Sequence, residues 1–464
     1  MFSGLAKTLA ISAIVINVHL FAVETPPPDA ATQPVVPPPN TEASSSTAML
    51  PQKLTLTEAK QLALRGNPDL LVTEARIQAA AARIKEADAA YMPSLDFVFD
   101  GKRQINTAAP EKGIAHKDAY GAFNTQLQGS YTLYDGLSRR HALIISEFEK
   151  QIADLNHENA QRKLLLAVAT AYFQAMLERQ NVIINIDDFD YNKRLQDNAE
   201  KKLRHGTGTR SDVLNFEIQA KNAEGERLLS ELNFRISILA LAELLGITPA
   251  QIPDNLELDA IRDYQKASQL PDYKSLCDYA FNHRPDLEAA DLAIKVQSER
   301  TEAARSNYQP TISLYGTYGF NRYHDLEYRN ENTGATIGLQ LSWNVFNGGS
   351  TQAKVMEAVA GRLENEAAKK TLSQSILHEI ARQLRTIDQA KQLADLKNET
   401  QTLAMQARDL VQKEYDIGKV TVTRLNEAQN DLTNAQGAYA KAVINYWLYR
   451  QNLEATTGYI LEIK

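Results

Sequence analysis

The chain has 464 residues, enough for two or three compact domains, but glycine is sparse, aromatics make up only 7% and long stretches of Ala, Leu, Gln, Glu, Lys and Arg run without a proline. That composition favours long helices over mixed globular domains. A formal net charge of −7, with Lys and Arg interspersed among acids, excludes a nucleic-acid binder built on a basic stripe, and a single cysteine, Cys277, excludes an internal disulfide and any cysteine-cluster zinc site.

At the N-terminus Lys7 precedes an apolar run from Leu9 to Val23, interrupted only by Ser12, Asn17 and His19. The run has the length of a signal-peptide core and is short for a membrane span. Residues 1–22 are therefore expected to be a signal peptide, with cleavage after Ala22 disfavoured by Leu20; an uncleaved anchor is the alternative. No cysteine lies nearby, so lipidation of the bacterial lipoprotein kind has no acceptor. Residues 23–53 hold half of the prolines and many Ser and Thr, too little apolar surface to repay ordering, and are expected to form a disordered linker.

The remainder contains one unit twice. Asn67-Pro68-Asp69-Leu70 returns as Arg284-Pro285-Asp286-Leu287, and Tyr91-Met92-Pro93-Ser94-Leu95 as Tyr308-Gln309-Pro310-Thr311-Ile312, both displaced by about 217 residues. Leu133-Tyr134-Asp135-Gly136 returns as Val345-Phe346-Asn347-Gly348, Gly206 as Gly418 and Gly246 as Gly458, displaced by about 212. The difference places a longer loop in the first copy. The repeats are bounded at 54–252 and 272–464, joined by residues 253–271.

Each repeat reads in the same order. A first helix spans 57–90, with a break at Gly66 to Pro68; its counterpart spans 272–307, with a break at Pro285. A strand pair follows, then a very long helix, 138–204 or 350–416, then a glycine turn and a last helix of about 37 residues. At about 1.5 Å per residue the long helix reaches roughly 100 Å, the geometry of a rod. Phe148, Ile152, Leu155, Leu166, Ala169, Phe173 and Met176 step by threes and fours, as do Ile376, Ile380, Leu384 and Ile387, the spacing of a coiled-coil seam.

The strands alternate. Phe123, Leu127, Tyr131 and Leu133 are interleaved with Asn124, Gln126, Gln128, Ser130 and Thr132; Ile337, Leu339, Leu341, Trp343 and Val345 with Thr336, Gly338, Gln340, Ser342 and Asn344. Leu95, Phe97 and Phe99, and Ile312, Leu314, Tyr318 and Phe320, share the period. Each segment is about ten residues, matching a tilted transmembrane strand with Phe123, Leu127, Tyr131, Ile337, Leu339, Leu341 and Trp343 facing lipid. A half-buried sheet packed on a helix is the competing reading. Four strands cannot close a barrel, and an open edge in hydrocarbon leaves backbone groups unsatisfied, so membrane strands require oligomerisation. Two copies supply eight strands and a filled interior, three supply twelve and room for a passage. The expected fold is mainly α with a transmembrane β-barrel contribution: internally duplicated long helical hairpins and four strands per chain.

With Leu56 to Pro68 and its Glu58-Ala59 and Asn67-Pro68, the duplicated Tyr-x-Pro-Ser/Thr at Tyr91 and Tyr308, and the Gly206 and Gly418 turns, the chain resembles a TolC-family outer-membrane efflux protein across nearly everything after the linker. The resemblance implies a homotrimer with a twelve-stranded barrel in outer-membrane lipid and a periplasmic α-helical tunnel closed at its far end. It also implies a periplasmic adaptor (membrane fusion) protein and an inner-membrane ABC or resistance-nodulation-division transporter as partners, for efflux or type I secretion, and no cofactor. Gly206, Thr207, Gly208, Arg210, Gly418, Lys419 and Val420 then fall at the adaptor-contacting tips, and Asp212, Tyr415, Arg424 and Glu427 become periplasmic gate candidates. Val420 stands where better-known members carry arginine and Arg424 where they carry an acid; Tyr415, Glu427 and Asp212 match.

Gly206 also suits the left-handed end of a helix, and Thr209 or Ser211 suits the cap of the next. Enzymatic signatures are missing: Gly206-Thr207-Gly208 lacks a preceding strand and a third glycine, and His378-Glu379 lacks the second histidine of a helical zinc motif. No catalysis is expected. The alternatives are a passive outer-membrane porin, which needs no rods, and a soluble coiled-coil scaffold, which needs no alternating strands.

Overall fold

The computed structural model describes residues 50–107, 117–253, 256–260, 265, 267–323 and 333–463, and contacts unite Pro51–Lys464 in one body. The expected signal peptide and all of the expected linker up to residue 49 lie outside the described residues. Of the stretch expected as linker only residues 50–53 are described, and Lys53–Leu54 form a short strand, β1.

Helix α1 (Leu56–Gly66) starts at a capping box, in which Thr55 Oγ1 accepts from the Glu58 amide and the Glu58 carboxylate accepts from the Thr55 amide. It stops at Asn67, and α2 (Pro68–Ala89) restarts with proline at its first turn and Asn67 Oδ1 accepting from Asp69 N. Strands β2 (Ser94–Thr107) and β3 (Lys117–Tyr134) follow, then α3 (Ser138–Arg204) and α4 (Arg210–Leu245). A second short strand, β4 (Glu257–Leu258), pairs in parallel with β1. The second repeat runs through α5 (Tyr273–His283), α6 (Pro285–Ser306), β5 (Thr311–Tyr323), β6 (Thr333–Ser342), α7 (Ser350–Asp416) and α8 (Val422–Thr457). The order expected from the sequence is present in both copies, and α3 and α7 are each 67 residues long.

The residues between the repeats are more than a connection. Tyr172, buried in α3, donates from its hydroxyl to Leu54 O and accepts from Asp259 N, tying β1 and β4 to the rod. Around it Leu165, Val168, Ala169, Phe173 and Met176 are buried. Of the seam expected here Ala169, Phe173 and Met176 are buried, and Leu166, half-buried, packs on the cluster of Leu165, Ala455 and Ile460. In α7 Ile376, Ile380 and Ile387 are buried as expected, with Leu276, Leu287, Val443 and Tyr446 packed around them.

The short helices stack end to end against the long one, and the joint is glycine-dependent. Gly246, φ +70°, ends α4 against the α1–α2 break; a Cβ on it would lie 2.0 Å from Gly66 O, and one on Gly66 would lie 2.6 Å from Leu245 O. Asn67 Nδ2 donates to Leu244 O. The second repeat makes the equivalent joint by charge: Arg284 donates to Thr456 O near the end of α8, and Arg162, from α3, donates to Ala455 O. The last carbonyls of a helix carry partial negative charge, so both guanidiniums are well placed. Asp286 closes the cluster, paired with Arg284 and 3.6 Å from Arg162.

Candidate functional site

Two regions carry the expected functional residues. The first is a four-stranded antiparallel sheet in the order β2-β3-β5-β6, with the repeats meeting at β3 and β5. The register sets Phe97 opposite Leu127, Leu127 opposite Tyr318, Tyr131 opposite Leu314 and Leu314 opposite Leu339. Because facing residues share a side of the sheet, Leu95, Phe97, Phe99, Phe123, Leu127, Tyr131, Leu314, Tyr318, Ile337, Leu339 and Leu341 form one apolar face. The reverse carries Asp96, Asn124, Gln126, Gln128, Ser130, Thr317 and Gln340, with Ser94 and Ser130 hydroxyls 2.8 Å apart.

Phe97 is 70% and Ile337 80% exposed in the single chain. No described helix covers the apolar face, which removes the reading of a sheet packed on its own helix. Such a surface on a protein this size marks a membrane or an assembly contact. Both outer edges, β2 and β6, are unpaired within the described chain.

Two expectations need correction here. The strands are not uniformly about ten residues: they have 14, 18, 13 and 10. The longer loop expected in the first copy falls at 108–116, against 324–332 in the second, and lies outside the described residues. Trp343 and Val345 fall beyond β6, which ends at Ser342; the Trp343 indole N–H donates to Tyr308 O, and no described strand pairs with them. In β3 the matching stretch continues through a bulge between Thr132 and Tyr134.

The second region is the paired tips. Gly206 (φ +75°) and Gly418 (φ +74°) each occupy the left-handed conformation expected. Thr207 N donates to Lys202 O and Lys419 N to Glu414 O, equivalent bonds that satisfy the last carbonyls of α3 and α7. Thr209, not Ser211, caps α4, accepting from Asp212 N; Thr421 caps α8, accepting from Arg424 N. Asp212 and Arg424 are thus the same position of the two repeats. An acid there complements the helix dipole and a base opposes it by about 0.3–1 kcal/mol. Glu427, 3.1 Å from Arg424 on the exposed surface, offsets this.

Tyr415 lies within electrostatic reach of Asp212. The Tyr415 ring meets Phe216 edge-on at 5.9 Å, and the Lys202 ammonium lies 5.0 Å from its centroid. Burial, then the charges of Asp212 and Asp416, raise the Tyr415 phenol pKa, so its hydroxyl stays a donor at neutral pH. Val420 packs on the same cluster as Leu195, Val213, Phe216 and Leu425: the residue standing in for arginine is apolar and joins the tip core. Beside it a cavity of about 250 Å³ opens between the tips, lined by Lys201, Lys202, His205, Thr207 and Tyr415 among others. Gly206, Gly418, Lys419, Thr207 and Arg210 are exposed; Gly208 is half-buried, where a Cβ would lie 3.0 Å from Leu203 N.

Sequence reading missed the polar ties above the tips. Gln429 donates to Asp188 (2.7 Å), Thr433 donates to the same oxygen (3.2 Å), Tyr191 donates to Gln412 (2.5 Å) and Asn426 to Asn215 (2.7 Å). The Arg408 guanidinium lies 4.9 Å from the Tyr191 centroid. These bonds join the two hairpins. The available signal was Gln429, a polar residue within the buried run Leu425, Ala428 and Leu432.

Among the described residues no group of three or more His, Cys, Asp or Glu is placed to hold a metal, and no helix is long and apolar enough to cross a membrane. The family model for outer membrane efflux proteins matches residues 59–247 and 276–459. The outer membrane protein TolC of Escherichia coli is 23% identical over 442 residues, 90% of this chain and 85% of its own. The alkaline protease secretion protein AprF of Pseudomonas aeruginosa is 23% identical over 316 residues, 66% of this chain and 64% of its own. Among solved structures, the outer membrane protein VceC of Vibrio cholerae superposes with a TM-score of 0.70 at 19% identity, covering 87% of this chain and 96% of its own.

Proposed function

The chain belongs to the outer membrane efflux protein family, and from that premise we propose that it is the exit duct of a tripartite efflux or type I secretion system. It resides in the outer membrane with its helical tunnel in the periplasm. The observation that carries the reading is the sheet, mostly apolar on one face, mostly polar on the other and open at both edges among the described residues. Three copies supply twelve strands, close the edges and leave a passage, which two copies would not. The long helices, continuous with the sheet, form the tunnel walls.

The energy for export comes from elsewhere. A periplasmic adaptor engages the exposed tips, and an inner-membrane ABC or resistance-nodulation-division transporter drives the cargo; small molecules and proteins are both candidate cargoes, the latter in keeping with the name of AprF, an alkaline protease secretion protein. Opening is a splaying of the tip helices, which requires an adaptor to bind the splayed state more tightly than the closed one. Tyr415, edge-on to Phe216, and Asp212, within electrostatic reach of it, hold the closed state.

Two measurements test this. The protein should fractionate with outer membranes and migrate on gels as a heat-modifiable oligomer; a soluble monomer would end the proposal. In planar bilayers the wild-type pore should conduct poorly without partners, and replacing both Tyr415 and Asp212 with alanine should raise single-channel conductance several-fold. A wide, steady wild-type conductance would favour the porin, and unchanged conductance in the variant would remove the two residues from the gate.

A further inference from the structure

A buried lysine lies where the two repeats and their connection meet. Lys60, on α1, is only 2% exposed, and its ammonium donates to Gln451 Oε1 on α8 at 2.6 Å. An ammonium carries three N–H donors and a full charge, yet among the described residues a neutral amide is its hydrogen-bond acceptor and no carboxylate forms an ion pair with it. Glu454, three residues further along α8, is reached only through Gln451, whose Nε2 donates to Glu454 Oε2 at 2.7 Å. Burial lowers the Lys60 pKa and raises that of Glu454, and the charge of each offsets the shift of the other only in part. The lysine is thus covered but under-compensated, an arrangement that costs stability unless something else satisfies it.

Lys60 lines a cavity of about 680 Å³, within the size range of small-molecule sites. Helices α1, α3 and α8 and the connection between the repeats each supply part of its wall. Phe173 and Met176 from α3 and Trp447 from α8 give it apolar and aromatic surface. Four charged groups line it, and of these only Lys60 is buried. Asp259 already lies 3.6 Å from Lys53. The Arg450 guanidinium donates to Ser268 O and Oγ and lies 5.7 Å from the Trp447 ring centroid, so it braces the wall.

We infer that this cavity is a binding site for a small organic monocarboxylate, whose carboxylate accepts from the spare N–H groups of Lys60 while its apolar or aromatic body packs on Phe173, Met176 and Trp447. A charge-assisted hydrogen bond to a covered ammonium is strong and little screened by salt, and the apolar walls favour a ligand that brings apolar surface with its charge. Glu454 and Asp259 repel a second negative charge, which selects against inorganic phosphate and dicarboxylates. The bound molecule would touch both repeats and the chain that joins them, and so would stabilise the folded body by mass action. None of the residues involved belongs to the sheet or the tips, so the inference stands apart from the exit-duct reading.

The chain has two tryptophans, Trp343 and Trp447, so Trp343→Phe leaves Trp447 as a fluorescent reporter on the cavity wall. In that background the full-length protein, in its native oligomeric state, is titrated with phenylacetate, with the uncharged phenylethanol and with inorganic phosphate. Phenylacetate should change the Trp447 emission saturably and bind about tenfold or more tightly than phenylethanol, and phosphate should leave the emission unchanged. Lys60→Met should bring phenylacetate down to the level of the alcohol without weakening the alcohol, a split that a general loss of structure does not produce. Thr57→Phe, at an exposed position on the cavity wall, narrows the space and should weaken both organic probes; it tests the placement even where helical circular dichroism shows that Lys60→Met does not fold. Equal affinity for acid and alcohol in the parent protein overturns the inference, as does an acid preference that survives Lys60→Met, binding unchanged by Thr57→Phe, or a Trp447 signal that never saturates.

Discussion

Replacing Asp286 with alanine is expected to destabilise the helical body by about 3–5 kcal/mol, because it leaves two guanidiniums buried without their carboxylate. Arg162 and Arg284 side chains are only 10% and 7% exposed, and Asp286 is 17% exposed. Both arginines keep their bonds to Ala455 O and Thr456 O, so they cannot swing to water without also releasing the end of α8. Thermal unfolding followed by helical circular dichroism measures the loss; a change under about 1 kcal/mol would mean that the cluster behaves as an exposed one.

The same cluster sets a pH dependence. Burial alone would raise the Asp286 pKa, but the hydrogen bond and charge of Arg284, with the charge of Arg162, outweigh it and hold the carboxyl below its ordinary range. A depressed folded pKa gives stability that is complete above the unfolded value and is lost as pH falls through the folded one. The wild type should therefore lose stability on acidification in a window that the alanine variant lacks.

The second large effect lies at the other joint. Gly246→Ala combines a left-handed backbone, costing an alanine about 1–2 kcal/mol, with a methyl 2.0 Å from Gly66 O, and relieving that contact costs about 1–3 kcal/mol more. The total, about 2–5 kcal/mol, should appear as loss of folded protein or a much lower unfolding temperature. Gly206→Ala is the control. It has the same backbone conformation, φ +75°, with nothing within 4 Å of the added Cβ, and should cost only the backbone share, about 1–2 kcal/mol. Equal losses in the two variants would show that backbone conformation alone accounts for both.

The rods were legible because long helices announce themselves by period, caps and breakers: the limits of α3 and α7 could be read to the residue from Gly206, Gly418 and the turns before Ser138 and Ser350. The apolar face was legible because alternation of Leu127 and Tyr131 with Gln126, Gln128 and Ser130 survives any register. Other features depend on which segments meet in space. Nothing in Lys53–Leu54 announces a strand until Glu257–Leu258 lies beside it, and Asp188, Tyr191 and Gln412 look like surface residues of solvated helices until the second hairpin packs against the first. The end of β6 was misjudged for a related reason, since alternation continues through Val345 but a ladder needs a partner strand. At the tips the glycines and caps could be read directly, whereas the pairing of Arg424 with Glu427 and the packing of Val420 into the apolar cluster needed coordinates.

The sheet order has a consequence for biogenesis. Tyr134 pairs with Ile312, so roughly 180 residues must be synthesised and exported between the two sides of the central seam, a contact of the slow, non-local kind. The hairpin α3–α4 needs only its own short turn and can form early, whereas the β2–β3 ribbon waits, apolar face bare, until the second ribbon emerges. During that interval the nascent chain is an aggregation hazard in the periplasm. A holding chaperone that covers Phe97, Phe99 and Leu127 would be needed most before Ile312 arrives, and the order of synthesis makes the first ribbon its earliest client.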